Sequence, residues 1–189
     1  MVSCYSWPMK EIIFVTGNTR KLGEARSSCD LFGIQIIQQA LSIDEIQSHD
    51  PSVIALQKAG KAYEMLKQPL VINDGYWAIP ALNNFPGGYM KDIAQWFTPD
   101  DFLSLMKDKT DRSIVITESI IYQDEKAVKV FTKEFRGFFS NEPRGHGNSI
   151  EQVAVFNGLT LAEHHDQGQF SEKPEDQLWY EFAQWFKDQ

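Results

Sequence analysis

The 189-residue sequence predicts an α/β fold built on a mixed β-sheet. Two observations carry this. In the first half, short apolar runs alternate with stretches of helical character, the order that gives parallel strands joined by helices. In the second half, two long β-rich runs flank Gln123-Asp124-Glu125, the clearest hairpin in the chain, and hairpin strands are antiparallel.

Taken in order, residues 11–16 read as a buried strand, followed by a helix over 18–32 with Gly33 at its C-cap. Residues 34–39 read as a second strand. Asp50 caps the next helix and Pro51 takes its first position, where a missing N–H costs nothing. Val53, Leu56, Gly60, Tyr63 and Leu66 make that helix's apolar stripe, with Lys58 and Lys61 off it. Leu70-Val71-Ile72 forms a short buried strand that delivers Asn73-Asp74-Gly75 at its end. Residues 76–82 continue as a strand or extended turn, 83–88 as a loop, and 89–97 and 100–107 as helices, with Thr98 or Asp100 capping the second. The hairpin spans 112–122 and 126–138. A loop over 142–148 leads to a strand over 150–156. A last helix starts near Pro174 and buries Leu178, Trp179, Phe182, Trp185 and Phe186.

Length and a hydrophobic content of 42% suit one domain over 1–189, or two lobes sharing a core. A net charge of -8 argues against a nucleic-acid polymer as partner, while leaving room for a local basic site. Cys4 and Cys29 are too few for a disulfide framework. The N-terminus lacks a signal-peptide pattern and no apolar run reaches membrane length, so a cytoplasmic protein with no membrane partner is expected.

The chemistry starts at Thr16-Gly17-Asn18-Thr19-Arg20-Lys21, where a strand gives way at once to a basic helix. Gly17 permits close backbone approach, Asn18 can cap the helix, and the first helical N–H groups point toward anions. Arg20, Lys21, Lys58 and Lys91 could together enclose a polyphosphate, and Glu45 and Asp74 could hold a magnesium ion, which takes hard oxygen ligands. Any one of these lysines alone would read as a solvated surface charge. His164 and His165, taken as strand neighbours, point apart and make a poor metal pair. His146, between two glycines, reads as part of a mobile loop.

The string TGNTRKLGE resembles the opening motif of the inosine triphosphate pyrophosphatase family. Further matches follow in order from about residue 11 to 145. Leu41 to Gln47 is similar to the family's loop with a metal-binding glutamate, here Glu45. Ala55 to Ala59 resembles its lysine-bearing helix, Val71 to Gly75 its acidic pair, and Phe85 to Lys91 its Pro-Gly-x-Tyr loop. Phe135-Arg136-Gly137 and Pro143-Arg144-Gly145 match later landmarks.

The resemblance implies an elongated fold with a central mixed sheet, two lobes and a cleft, working as a homodimer. It implies hydrolysis of a nucleoside triphosphate to monophosphate and pyrophosphate with Mg²⁺ held by Glu45 and Asp74. Asp74 and Lys21 become the catalytic pair, with Glu24 or Asn73 as possible helpers. Thr16, Gly17, Asn18, Arg20, Lys21, Lys58, Lys91 and Lys173 become the substrate-binding set. The departures concentrate elsewhere. Asn73 stands where the family has an acid, with Asp92 and Glu151 as open candidates to replace it. The base-reading segment after Arg144-Gly145 is absent, and Glu172-Lys173-Pro174 keeps only the lysine of a later motif. Altered base recognition is therefore expected. The alternative is a catalytically silent nucleotide binder, or a dimeric interaction protein, on the same fold.

Overall fold

The computed structural model describes residues 10–168 and 173–189. Readings that fall on Cys4, the N-terminus and Glu172 lie outside them. Among the described residues, eight strands form one mixed sheet. β1 (Lys10–Val15) runs parallel to β2 (Ile34–Gln39) on one side and to β3 (Leu70–Ile79) on the other. β5 (Ser113–Gln123) and β6 (Val128–Phe139) extend the sheet as the long antiparallel hairpin, and β7 (Ala154–Phe156) and β8 (Leu159–Thr160) close that end. β4 (Phe85–Gly87) pairs with the far end of β3.

Strand β3 is where the structure departs most usefully from expectation. It does not end at Ile72 but runs on through Asn73-Asp74-Gly75 to Ile79. One edge pairs with β5 from Leu70 to Ala78. The other edge meets β1 only at Leu70 and Val71, and β4 only at Trp77 to Ile79. Between them, among the described residues, 72–76 have no strand partner on that edge. Asp74 lies in this gap, rather than at a strand end.

Helices cover both faces. α1 (Thr19–Cys29) and α6 (Leu178–Phe186) share a core with Phe14, Val71 and Ile120. Asn18 Oδ1 caps α1 by accepting from the backbone N–H groups of Arg20 and Lys21. Buried Cys29 is part of this core, and burial pushes its thiol up to about 12. α2 (Pro51–Leu66) covers the opposite face, capped by Asp50 as expected. Its buried residues are Ile54, Ala55, Ala59 and Ala62; of the expected stripe, Val53 and Leu56 are 44% and 42% exposed, while Tyr63 and Leu66 are partly buried against the alanine cluster. Small alanines let α2 sit close over Leu70 and Ile72, and Val53 and Leu56 turn outward.

A third cluster fills the other end of the sheet, with Trp77, Ile79, Ile114 and Phe139 packed against α4 (Pro99–Leu105). Thr98 and Asp101 form a reciprocal capping box on α4, and α3 (Met90–Trp96) precedes it. Residues 150–153 are a turn, so the strand expected there is shortened to β7. His164 and His165 lie on a short helix, α5 (Leu161–Asp166), capped by Thr160 and Glu163. His164 Nε2 donates to the Phe156 carbonyl at 2.8 Å, which gives this histidine a structural role. Among the described residues no helix is long and apolar enough to cross a membrane.

Gly137 on β6 marks a close approach. A Cβ there would stand 2.3 Å from the Val155 carbonyl oxygen and 2.8 Å from the Phe156 ring. Gly137→Ala is expected to lower stability by about 1–3 kcal/mol through overpacking. Thermal unfolding checks this, and an unchanged midpoint would mean that β7 gives way freely.

Candidate functional site

A cleft of about 210 Å³ opens at the gap in β3. One wall is the start of α2, and the others are β3 and the β4 loop. Glu45, Asp74 and Lys91 line it directly. Gly88 lets the β4 loop approach the chain before α2, since a Cβ there would stand 2.5 Å from the Ser48 carbonyl oxygen.

Period-two alternation sends Asp74 and Asn73 to opposite faces of the sheet. Asp74 faces the α2 side, and its Oδ1 accepts from the Gly75 N–H at 2.9 Å. The buried Asn73 amide donates instead to the Ser119 carbonyl at 3.3 Å. The amide at position 73 therefore takes no negative charge from the cleft wall that carries Asp74.

Three lysines from three segments converge here. Lys58, on α2, pairs with Glu45 at 2.5 Å. That hydrogen bond holds the Glu45 carboxyl below its usual range against the opposing effect of burial, and the charges of Lys58, Lys91 and Lys21 act in the same direction. Lys21 crosses the β3 gap and donates to the Asn73 carbonyl at 2.9 Å. Burial pulls the Lys21 pKa down, Asp74 opposes that shift, and Lys58 adds to it. Lys21, Lys58, Lys91, Glu45 and Asp74 thus form one electrostatic unit.

The other expected residues behave differently. Thr16 Oγ1 accepts from the Asn18 N–H at 3.1 Å, so Thr16 and Asn18 shape the turn before α1. A Cβ on Gly17 would meet nothing within 4 Å, so the protein's own packing does not demand glycine there. Arg20 pairs along the helix with Glu24 at 2.5 Å, and Glu24 does not line the cleft. Lys173 is exposed, precedes the turn Pro174–Asp176 and does not line the cleft. Neither Asp92 nor Glu151 lines it. Glu151 instead accepts from the Asn148 N–H in the far loop.

Tyr76 and Ser119 also line the cleft and carry no signal in the linear sequence. Ser119 arrives there because the β3–β5 register sets it opposite Asp74.

Among the described residues no group of three or more His, Cys, Asp or Glu side chains is arranged to hold a metal. Glu45 and Asp74 are two hard carboxylates in one cleft, a donor set that suits Mg²⁺ when substrate phosphates complete the shell.

Fold and cleft together define a mixed-sheet α/β protein with a lysine-rich, carboxylate-bearing cleft where the sheet divides. Comparison with known proteins sharpens this. The family model described as the Ham1 family matches residues 12–167, and the chain belongs to that family. It is 30% identical over 180 residues to the dITP/XTP pyrophosphatase of Methanosarcina acetivorans, covering 94% of this chain and 98% of that protein. It is 29% identical over 182 residues to the dITP/XTP pyrophosphatase of Methanopyrus kandleri, covering 94% and 97%. A HAM1 protein from Coxiella burnetii has the same fold, with a TM-score of 0.79, 23% identity and coverage of 96% of this chain and 100% of that one.

Proposed function

We propose that this chain hydrolyses a non-canonical nucleoside triphosphate to the monophosphate and pyrophosphate, with base recognition of its own. The observation that carries this reading is the convergence of Lys21, Lys58 and Lys91 on Glu45 and Asp74 at the β3 gap. The names of the relatives supply the substrate class.

In this reading the three lysines bind the triphosphate. Lys58 leaves Glu45 for a phosphate oxygen, and the Asn18-capped turn offers its N–H groups to another. With nothing packed over Gly17, the backbone is open to phosphate contact there. Glu45 and Asp74 are the residues that would hold Mg²⁺. When bound, the ion neutralises phosphate charge and acidifies a water. Asp74 accepts a hydrogen bond from the attacking water and orients it. The water oxygen bonds to the α-phosphorus, the bond to the bridging α–β oxygen breaks, and Lys21 stabilises the charge that develops on departing pyrophosphate. Arg20 and Lys173 are peripheral, to be recruited only by movement of their side chains. The same reading includes a single domain, a homodimer and a cytoplasmic location.

The test is pyrophosphate release by the purified protein with Mg²⁺ across inosine, xanthosine, common and modified nucleoside triphosphates. Release from at least one is expected. A silent nucleotide binder is the second reading, raised by the amide at Asn73 and weakened by its place on the opposite face of the sheet from Asp74. Tight triphosphate binding without release would establish that reading in place of the first.

A further inference from the structure

The stretch 40–47, between β2 and α2, makes one hydrogen bond among the described residues, from Lys58 Nζ to Glu45 Oε1 at 2.5 Å. Leu41 and Ile43 anchor its start against the alanine cluster of α2. Just beyond its end, the Ser48 carbonyl lies against Gly88, and the His49 ring meets the Tyr89 ring edge-on at 5.5 Å. Glu45 therefore sits between two anchored points, and its carboxylate is tied to α2 by this bond alone. The pair is neither buried nor fully solvated: the Lys58 and Glu45 side chains are 24% and 38% exposed. It joins the two charges that the proposed reaction needs apart. A cation on Glu45 alone would stand beside an ammonium that has lost its carboxylate. A phosphate on Lys58 alone would stand beside a carboxylate that has lost its ammonium. Either way, one partner of a charge-assisted hydrogen bond is left unpaired at the cleft wall. A metal-bound polyphosphate brings both opposite charges at once. Ammonium and carboxylate then exchange partners, and no charge is left alone.

We propose that the Lys58–Glu45 pair selects the form in which this chain takes its substrate: it resists the bare cation and the metal-free polyphosphate and yields to the two together. The inference rests on the triphosphate reading above and adds the metal-bound form of the substrate to it. Separating the pair costs each component its full amount when it binds alone, but only once when both bind. The coupling is therefore reciprocal: the cation tightens the polyphosphate by the factor by which the polyphosphate tightens the cation. Lys91 and Asp74 line the same cleft with the same kinds of charge but stand outside this pair, so they report its general electrostatics.

The experiment reads binding, not turnover. Mn²⁺ alone is titrated by electron paramagnetic resonance, and inorganic tripolyphosphate by calorimetry, first with chelator and then with saturating Mg²⁺. The wild type is expected to bind Mg²⁺-loaded tripolyphosphate more tightly than the metal-free anion by about 5- to 100-fold, the range of coupling between two ligands. Lys58→Met releases Glu45 and is expected to raise the affinity for Mn²⁺ alone by about 3- to 30-fold, between the worth of an exposed ion pair and that of a hydrogen bond to a charged group. Lys91→Met should raise it less. Glu45→Gln releases Lys58 and is expected to raise the affinity for metal-free tripolyphosphate by a similar factor, and Asp74→Asn by less. A wild type that binds the metal-free anion as tightly as the loaded one overturns the proposal. So do variants of the pair that move binding no further than Lys91→Met and Asp74→Asn. Thermal unfolding checks that each variant is folded; either arm decides where only one variant folds, and the wild-type comparison decides where neither does. Should no nucleoside triphosphate be hydrolysed, the hydrolase reading fails, while these affinities still decide the role of the pair.

Discussion

Asp74→Ala is expected to lower kcat by about 10²–10³-fold, the scale for losing one preorganised charged group at a reacting centre. Stability should hold to within about 1 kcal/mol, because Asp74 is only partly buried and the hydrogen bond its Oδ1 accepts, from the Gly75 N–H at 2.9 Å, is to its own neighbour. Pyrophosphate release and thermal unfolding of the same sample check the two halves. Wild-type turnover in the folded variant would remove Asp74 from the proposed machinery. Asn73→Asp is not the mirror image of this change. Asn73 faces the other side of the sheet and donates to the Ser119 carbonyl at 3.3 Å, so an acid there would set a carboxylate against a carbonyl oxygen.

Asp74 also shows how much the sequence discloses. The mixed sheet, the Asn18 and Asp50 caps and the long hairpin were all legible, because periodicity and cap chemistry are local. Glu45, Asp74, Lys21, Lys58 and Lys91 were legible as a group through the family resemblance, and the structure brings them to one cleft or its rim. The gap in β3 was not legible. It depends on where β1 stops and β4 begins along one edge, a register that no local pattern encodes. The first half of the α2 stripe was misread because alanine carries little hydrophobic signal, yet Ala55, Ala59 and Ala62 are the residues that allow close packing, with Tyr63 and Leu66 beside them as expected. The histidines were misplaced on a strand because α5 is short and is identified by its Thr160–Glu163 capping box, not by apolar periodicity. Ser119 was passed over because it enters the cleft only through the β3–β5 pairing.

Lys21→Met is expected to move activity and stability in opposite directions. Turnover should fall by about 10²–10³-fold with loss of the charge aimed at the leaving group. The thermal midpoint at pH 7 should rise. Burial lowers the Lys21 pKa from the ordinary 10.5, with Asp74 opposing, so the net effect of folding is to disfavour the ammonium. Between its folded and unfolded pKa values the folded chain binds fewer protons at this site than the unfolded chain. Stability contributed by this group therefore increases as pH rises through that window and is lowest below it, at neutral pH. Methionine keeps much of the alkyl stem and removes the buried charge, relieving that cost. The wild type should also lose activity on the alkaline side as Lys21 deprotonates, with the limb beginning below pH 10.5, the ordinary lysine value. Asp74→Asn, assayed on its residual rate, should bring that limb to lower pH, because the carboxylate that supports the ammonium is gone. A Lys21→Met protein with undiminished turnover would end the assignment of Lys21. A midpoint that falls instead of rising would mean that the 2.9 Å bond from Lys21 to the Asn73 carbonyl outweighs the desolvation of the charge, making Lys21 a clamp across the sheet gap as well as a phosphate ligand.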